Sequence, residues 1–383
     1  MRKRILFVTH ALESLYGAAT SLRLLLENYS EVEADVLLPR SLRQPRDLSR
    51  TAALYGFRRA YELSLPVDLA LVGVKREFQD MIHGALHWIN WQRGDRRLYR
   101  ELLQRNHYDV IHLNSTILHH LALPGFPFVS HIREIVTTPG SPAVARLQRG
   151  LGLIFIDEAT QKPFVNGRNT PWTILNNPVD MSDIAAFEGR LAHPRLRPDT
   201  TVFSIVGQIY EAKGVEFVID AYRKGAAPNT LLIIAGDGPA AYVERCRQAA
   251  ANDPRILFWG AEKEIKRIYA ATDYVVRGET RHCVGRTVYE GLYAGCRVIM
   301  PGQGEQTFLF EADQFSSDIL LYKARDTQSL AAAFAASSGR KVTNRAGRSN
   351  INAYVQAFDG FLDHCLAGKI ATSPRLFPDG GSN

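Results

Sequence analysis

Short, almost unbroken apolar runs recur along the chain, each followed by a polar or glycine-containing break and then by apolar residues at helical spacing. The first run, Ile5 to Val8, leads through a loop ending at Gly17-Ala18-Ala19 into a helical pattern at Leu22, Leu25 and Leu26. Further runs at Val36–Leu38, Val110–Leu113, Phe126–Val129 and Leu153–Ile156 complete a first set. Val202–Val206, Leu231–Ala235, Ile256–Gly260, Tyr274–Arg277, Val298–Met300 and Ile319–Leu321 form a second. Continuous apolar strands separated by helical stretches describe parallel sheets covered by helices on both faces. Ligands of such folds bind past the carboxyl ends of the strands. His10, Gly17, Asn114 and His131 fall just past such ends.

The 383 residues, 46% of them hydrophobic, suffice for two domains with separate cores. A stretch rich in Pro, Arg and His, from His193 to Pro198, reads as a linker, and the second domain is expected to start near Thr200. The expected division is therefore 1–180, 200–366 and a loose tail over 367–383. Four scattered cysteines without CxxC spacing indicate neither a disulfide framework nor a zinc site. No run of about 18 apolar residues is present, and Met1-Arg2-Lys3-Arg4 leads straight into the first strand without a cleavable leader pattern. A cytoplasmic protein is expected.

The stretch from Asp273 to Gly295 carries the most chemical information. It reads as a β-branched strand, a polar loop and a helix entered near Gly285. A helix start presents unpaired N–H groups and the positive end of its dipole, and Gly285 would let an anion approach the backbone. Glu290, about one turn further, can accept two hydrogen bonds from a vicinal diol such as a ribose. Taken alone, the same residues also describe an ordinary strand-to-helix turn.

The segment resembles the signature of retaining glycosyltransferases of the GT-B fold, family four: Glu, seven residues, Glu, then Ala-Met-Ala-x-Gly. Asp273, Gly285, Glu290 and Gly295 fall on the family's Asp, Gly, second Glu and closing Gly, whereas His282 stands where the first Glu belongs. After Val206, Gly207-Gln208 and Lys213-Gly214 resemble the family's Gly-Arg and Lys-Gly pair, with Gln208 in place of the Arg. Gly17-Ala18-Ala19 resembles a Gly-Gly-Ala loop near the donor phosphates, and Ile174 to Asp180 the strand that closes the first domain. His131 resembles a strand-end histidine that faces the transferred sugar, although a lone His is more often a satisfied core residue. The likeness is strong over about 200–302 and weak in the first half.

The resemblance implies a GT-B fold, two Rossmann-like domains with parallel sheets facing across a cleft. It implies transfer of a sugar from a nucleotide diphosphate sugar to an acceptor with retention. His131 and His282 would then serve the transfer. Gly17, Gly207, Gln208, Lys213, Gly285, Arg286, Thr287 and Glu290 would hold the nucleotide sugar. The sequence contains no Asp-x-Asp, so Lys213, the helix start and Arg286 would neutralise the leaving diphosphate without a metal or other cofactor. Rival readings are a catalytically inert nucleotide-sugar-binding subunit, a nucleotide-sugar epimerase of similar architecture, and an oxidoreductase. The last is disfavoured because no G-x-G-x-x-G follows Val8 or Val206.

Charge adds a partner. Of the net +7, most comes from Arg40 to Arg105, where 13 Lys or Arg stand against 7 Asp or Glu. No nucleic-acid module accompanies the patch. Phe78, Ile82, Trp88, Ile89 and Trp91 alternate with Lys75, Arg76, Arg93, Arg96, Arg97 and Arg100, a pattern that suits an anionic membrane surface and a glycan or lipid-linked acceptor. A solvated basic helix whose aromatics pack on the core is the plainer alternative.

Overall fold

The computed structural model describes residues 2–13, 17–41, 45–73, 78–164, 169–279, 285–302, 315, 317–339, 342 and 346–368. The chain divides into two units, one of Met1–Pro178 with Ile351–Asn383, the other of Val179–Asn350. Each is built on a parallel sheet, as the uninterrupted apolar runs require. In the first unit the strands are β1 (Lys3–Val8), β2 (Val32–Pro39), β3 (Arg59–Leu63), β4 (Val110–Leu113), β5 (Phe128–Ile132), β6 (Gly152–Phe155) and β7 (Trp172–Ile174), ordered β3-β2-β1-β4-β5-β6-β7. In the second they are β8 (Thr201–Val206), β9 (Thr230–Ala235), β10 (Ile256–Gly260), β11 (Tyr274–Val276), β12 (Arg297–Gly302) and β13 (Ile319–Lys323), ordered β10-β9-β8-β11-β12-β13.

Residues alternate between the faces of a strand, so each sheet supplies two cores. Along β1, Leu6 and Val8 enter one core with Leu37, Ile111 and Trp91, while Ile5 and Phe7 enter the other with Leu22, Val36 and Phe358. In the second unit Phe203 and Ile205 pack with Val218, Tyr222 and Phe334 on one side of the sheet. Val275 and Val298 pack with Val288 and Leu292 of the helix Arg286–Tyr293.

Two boundaries differ from the sequence-based division. The stretch 179–199 belongs to the second unit, into whose cores it sends Val179, Met181, Ile184 and Leu191, so the proposed linker His193–Pro198 is part of that domain. The closing helix Ile351–Leu366, expected to end the second domain, packs on the first. Its Phe358 meets Tyr29 and His112 edge-on at 5.9 and 5.4 Å, and Lys3 bonds Asp359 and Asp363 at 2.6 and 2.9 Å. An apolar stripe docks on whichever core is left open, which linear order does not reveal. The crossing segments are clamped together inside the second unit, where the Val179 N–H donates to Asn350 Oδ1 (2.8 Å) and the Met181 N–H to the Arg348 carbonyl (2.9 Å).

Candidate active site

In the second domain, two loops meet backbone to backbone where β8 and β11 end. Gly214, in the left-handed region at φ +63°, lies so close to Gly278 that a Cβ would stand 2.1 Å from the Gly278 carbonyl oxygen. Only glycine is compatible with that conformation and that spacing. The approach brings Lys213, from the loop after β8, within 2.8 Å of Glu279, from the loop after β11. Glu279 also accepts from Arg277, whose Nε lies 2.8 and 3.0 Å from its two carboxylate oxygens and whose Nη2 binds it as well. Arg277 Nη1 in turn donates to Thr287 Oγ1 at 2.9 Å, in the first turn of the helix Arg286–Tyr293. Burial alone would raise the Glu279 pKa, but the charges of Arg277 and Lys213 hold it down at about 2.

Deeper along that helix, Glu290 is buried and accepts from Arg286 Nε at 2.6 Å and from the Tyr269 hydroxyl at 2.7 Å. Each oxygen is thus fixed by one donor and can accept a further hydrogen bond. Gly285 caps the helix start. A Cβ there would stand 2.9 Å from Arg277 Nη2, so this glycine makes room for a guanidinium. Gly207, at φ +119°, is overlain by the loop after β9, where a Cβ on Gly236 would lie 1.7 Å from the Gly207 carbonyl oxygen. Gln208, next to Gly207 in the loop after β8, is exposed.

The first domain gathers histidines and amides around one arginine at the corresponding strand ends. His131, at the end of β5, is fully buried, and its Nδ1 lies 3.3 Å from both His112 Nε2 and Arg133 Nη2. A guanidinium can only donate, so Nδ1 accepts and the ring proton sits on Nε2. That Nε2 has no partner among the described residues. Arg133 further donates to Asn114 Oδ1 (3.0 Å) and Asn177 Oδ1 (3.1 Å). Burial, then Arg133 and His112, lower the His131 pKa far below its usual value, and burial with Arg133 pushes His112 down to about 3. Both rings are neutral near pH 7. Gly17 opens the helix Gly17–Asn28 at φ +56° with open space around it.

Among the described residues, Asp68, His119 and His120 form a trio of metal-type side chains. Arg146 Nη1 points at Nδ1 of both histidines, at 2.7 and 3.2 Å, and His119 Nε2 faces Asp68 Oδ2 at 3.1 Å. Those contacts place the ring protons on Nε2, and Asp68 already accepts one of them, so the trio is satisfied as an Arg-bridged network.

The structure therefore brings Lys213, Gly285, Arg286, Thr287 and Glu290 to one end of the second sheet, with Gly207 in the neighbouring loop. His282 lies outside the described residues. The sequence reading missed Arg277, counted there as the last residue of a strand, and Arg133. A charged residue immediately after a β-branched run was the available signal for both. Glu279, three residues before His282, is committed to two cations.

Residues 200–337 match the family of group 1 glycosyl transferases. No curated protein matches by sequence. Among solved structures, Anabaena Alr3699/HepE in complex with UDP and glucose is similar over 94% of this chain and 100% of its own, with a TM-score of 0.69 at 18% identity. Sucrose-phosphate synthase from Thermosynechococcus elongatus is similar over 95% and 97%, with a TM-score of 0.64 at 14% identity. The apo form of the lipopolysaccharide outer core galactosyltransferase WaaB covers 95% and 99%, with a TM-score of 0.59 at 12% identity. Two parallel sheets in this order give the chain the GT-B fold of these structures, and its residues 200–337 match the group 1 glycosyl transferases.

Proposed function

We propose that the enzyme transfers a sugar from a nucleotide diphosphate sugar to a glycan or lipid-linked acceptor, with retention at the anomeric carbon. The convergence of Lys213, the start of the helix Arg286–Tyr293 and the doubly braced Glu290 carries this reading. Glu290 offers its two oxygens to the ribose hydroxyls, while Lys213 and the helix start take the diphosphate. Retention needs no strong protein base when the departing phosphate oxygen takes the acceptor proton, and no metal is invoked because cations and N–H groups absorb the leaving charge. The neutral His131, with Nε2–H unpartnered among the described residues, suits a donor to a sugar hydroxyl. The neighbour solved with UDP and glucose supports a uridine diphosphate sugar as the first donor to try.

An acceptor presented at a membrane fits one feature of the first domain. Ile82, Leu86 and Ile89 of the helix Phe78–Asn90, with Met81 and Trp88, are all more than 40% exposed, and Arg93, Arg96 and Arg100 lie exposed beside them. Trp91, expected in the same face, is core instead, packed on Tyr99. No helix among the described residues is long and apolar enough to cross a bilayer. We place the enzyme at the cytoplasmic face of an anionic membrane.

Calorimetric titration with uridine diphosphate tests the donor site. Glu290→Gln is expected to weaken binding by about 1.5 to 3 kcal/mol, the usual worth of a hydrogen bond to a charged group. Unchanged affinity in both Glu290→Gln and Lys213→Ala would remove the assignment.

A further inference from the structure

We propose that Arg277 is the second diphosphate-binding cation of this enzyme, supplying from the end of β11 the guanidinium that Gln208 does not supply from the end of β8. The inference rests on the reading of the second-domain site as a nucleotide diphosphate sugar site.

Two observations carry it. First, the loop after β8 ends its strand with an exposed glutamine, a neutral donor where a leaving diphosphate calls for charge. Second, the adjacent strand in the same sheet sends a guanidinium to the same place. β8 and β11 are neighbours, and Gly214 and Gly278 hold their loops in contact. Arg277 Nη1 reaches Thr287 Oγ1 at 2.9 Å, and both Nη atoms lie about where a side chain on the helix cap Gly285 would begin, 2.9 and 3.0 Å from that Cβ position. The guanidinium is thus parked beside the helix start with Lys213 across Glu279 from it. A planar fork at a helix N-terminus is suited to bidentate contact with phosphate oxygens.

Glu279 explains how such an arrangement persists without ligand. An unpaired arginine only 5% exposed would be costly, and the carboxylate offsets it. Arg277 is also held from behind, where the Tyr322 hydroxyl donates to the Arg277 carbonyl at 2.7 Å. Lys213, on a flexible stem and about one third exposed, is the partner free to turn from Glu279 to a phosphate, while Glu279 keeps Arg277 aimed. Glu279 is therefore a positioning residue and Arg277 a binding one.

The test compares uridine diphosphate with uridine monophosphate by calorimetry, in the wild-type chain, Arg277→Gln, Arg277→Lys and the double variant Arg277→Gln with Gln208→Arg. Arg277→Gln should lose about tenfold or more in affinity for the diphosphate, the scale of one charge-assisted hydrogen bond, and much less for the monophosphate. Arg277→Lys should fall between, and Gln208→Arg should restore most of the loss. Equal losses for both nucleotides, or a double variant no better than the single one, would reduce Arg277 to a brace for its loop. Thermal unfolding of each variant separates that result from misfolding. Wild-type protein that binds neither nucleotide would sink the donor-site reading itself, whereas wild-type binding with an unimpaired Arg277→Gln would sink this inference alone.

Discussion

The two domains order their strands alike, third-second-first-fourth-fifth-sixth, with a seventh strand added in the first. Their strand ends nevertheless carry opposite chemistry. In the second domain acidic side chains are ion-paired: Glu279 between Lys213 and Arg277, Glu290 against Arg286. In the first domain buried histidines lose their charge. His10, His112 and His131 all have lowered pKa values, by burial first and by the nearby Arg133. One scaffold thus holds an ion-paired cluster at one set of strand ends and uncharged histidines around Arg133 at the other, which is why fold alone never assigns the chemistry.

Glycine substitution breaks the comparison most strongly. Gly17 and Gly214 both open the first helix of their domain at positive φ, but Gly17 has open space and Gly214 abuts Gly278. Gly17→Ala should cost only the left-handed strain, about 1 to 2 kcal/mol. Gly214→Ala adds a backbone clash and should cost about 2 to 5 kcal/mol in all. Denaturant unfolding, with hydrogen exchange to locate the loss, checks both. Equal costs would mean that the Gly214–Gly278 approach does not fix the site.

Much of this contrast was legible in the sequence because it lies in apolar runs and in the loop residues directly after them. Eleven of the strands correspond to the apolar runs, Gly285 and Glu290 were singled out by the helix entry, and Gly207 and Lys213 by the resemblance. β3 escaped because an edge strand reading Arg-Ala-Tyr-Glu-Leu is only half buried and lacks an apolar run. The closing helix was misassigned because its Tyr354, Phe358 and Phe361 declare an apolar face without declaring which core it meets. Arg277 was missed because its meaning comes from Glu279 and Thr287, a three-dimensional neighbourhood. The same holds for His112, a strand residue until His131 and Arg133 surround it.

Acidification sharpens the comparison with a smaller effect. A histidine neutral in the fold and ordinary when unfolded takes up its proton only in the unfolded state, so stability is lost as pH falls through about 6.5 and continues to fall toward the folded value. For His112 that window runs down to about 3. Glu279 acts in a lower window, with stability lost between about 4.5 and about 2 as the unfolded carboxylate is protonated first. Between pH 7 and 5.5 the first domain should therefore weaken and the second should not. His112→Gln, which removes one titrating ring, should make the acid-induced loss smaller by about 1 kcal/mol. Hydrogen exchange at the two pH values, read strand by strand, distinguishes the domains; loss spread evenly over β1–β6 and β8–β13 would count against the contrast.

The smallest expected effect concerns the outer surfaces. Many basic residues of the first domain are spent internally: Arg46 on Glu13 and Glu62, Arg58 on Asp35, Arg97 and Arg105 on Glu101. Arg93, Arg96 and Arg100 form no ion pair among the described residues and stand next to the exposed apolar face of the helix Phe78–Asn90. In the second domain the exposed Lys224 and Arg245 are paired, with Asp220 and with Glu211 and Glu216. The exposed apolar face of the helix Phe78–Asn90 with these arginines should therefore be the part that meets an anionic bilayer. Each of Arg96→Ser and Arg100→Ser should weaken co-sedimentation with phosphatidylserine vesicles by roughly 1 kcal/mol, about fivefold, and the attraction should fade as salt rises. Lys224→Ser and Arg245→Ser serve as the contrast, because removing a charge already neutralised by its neighbour alters the local field less. Binding that is indifferent to anionic lipid content, or that falls equally for the second-domain substitutions, would make the Phe78–Asn90 face an ordinary solvated helix.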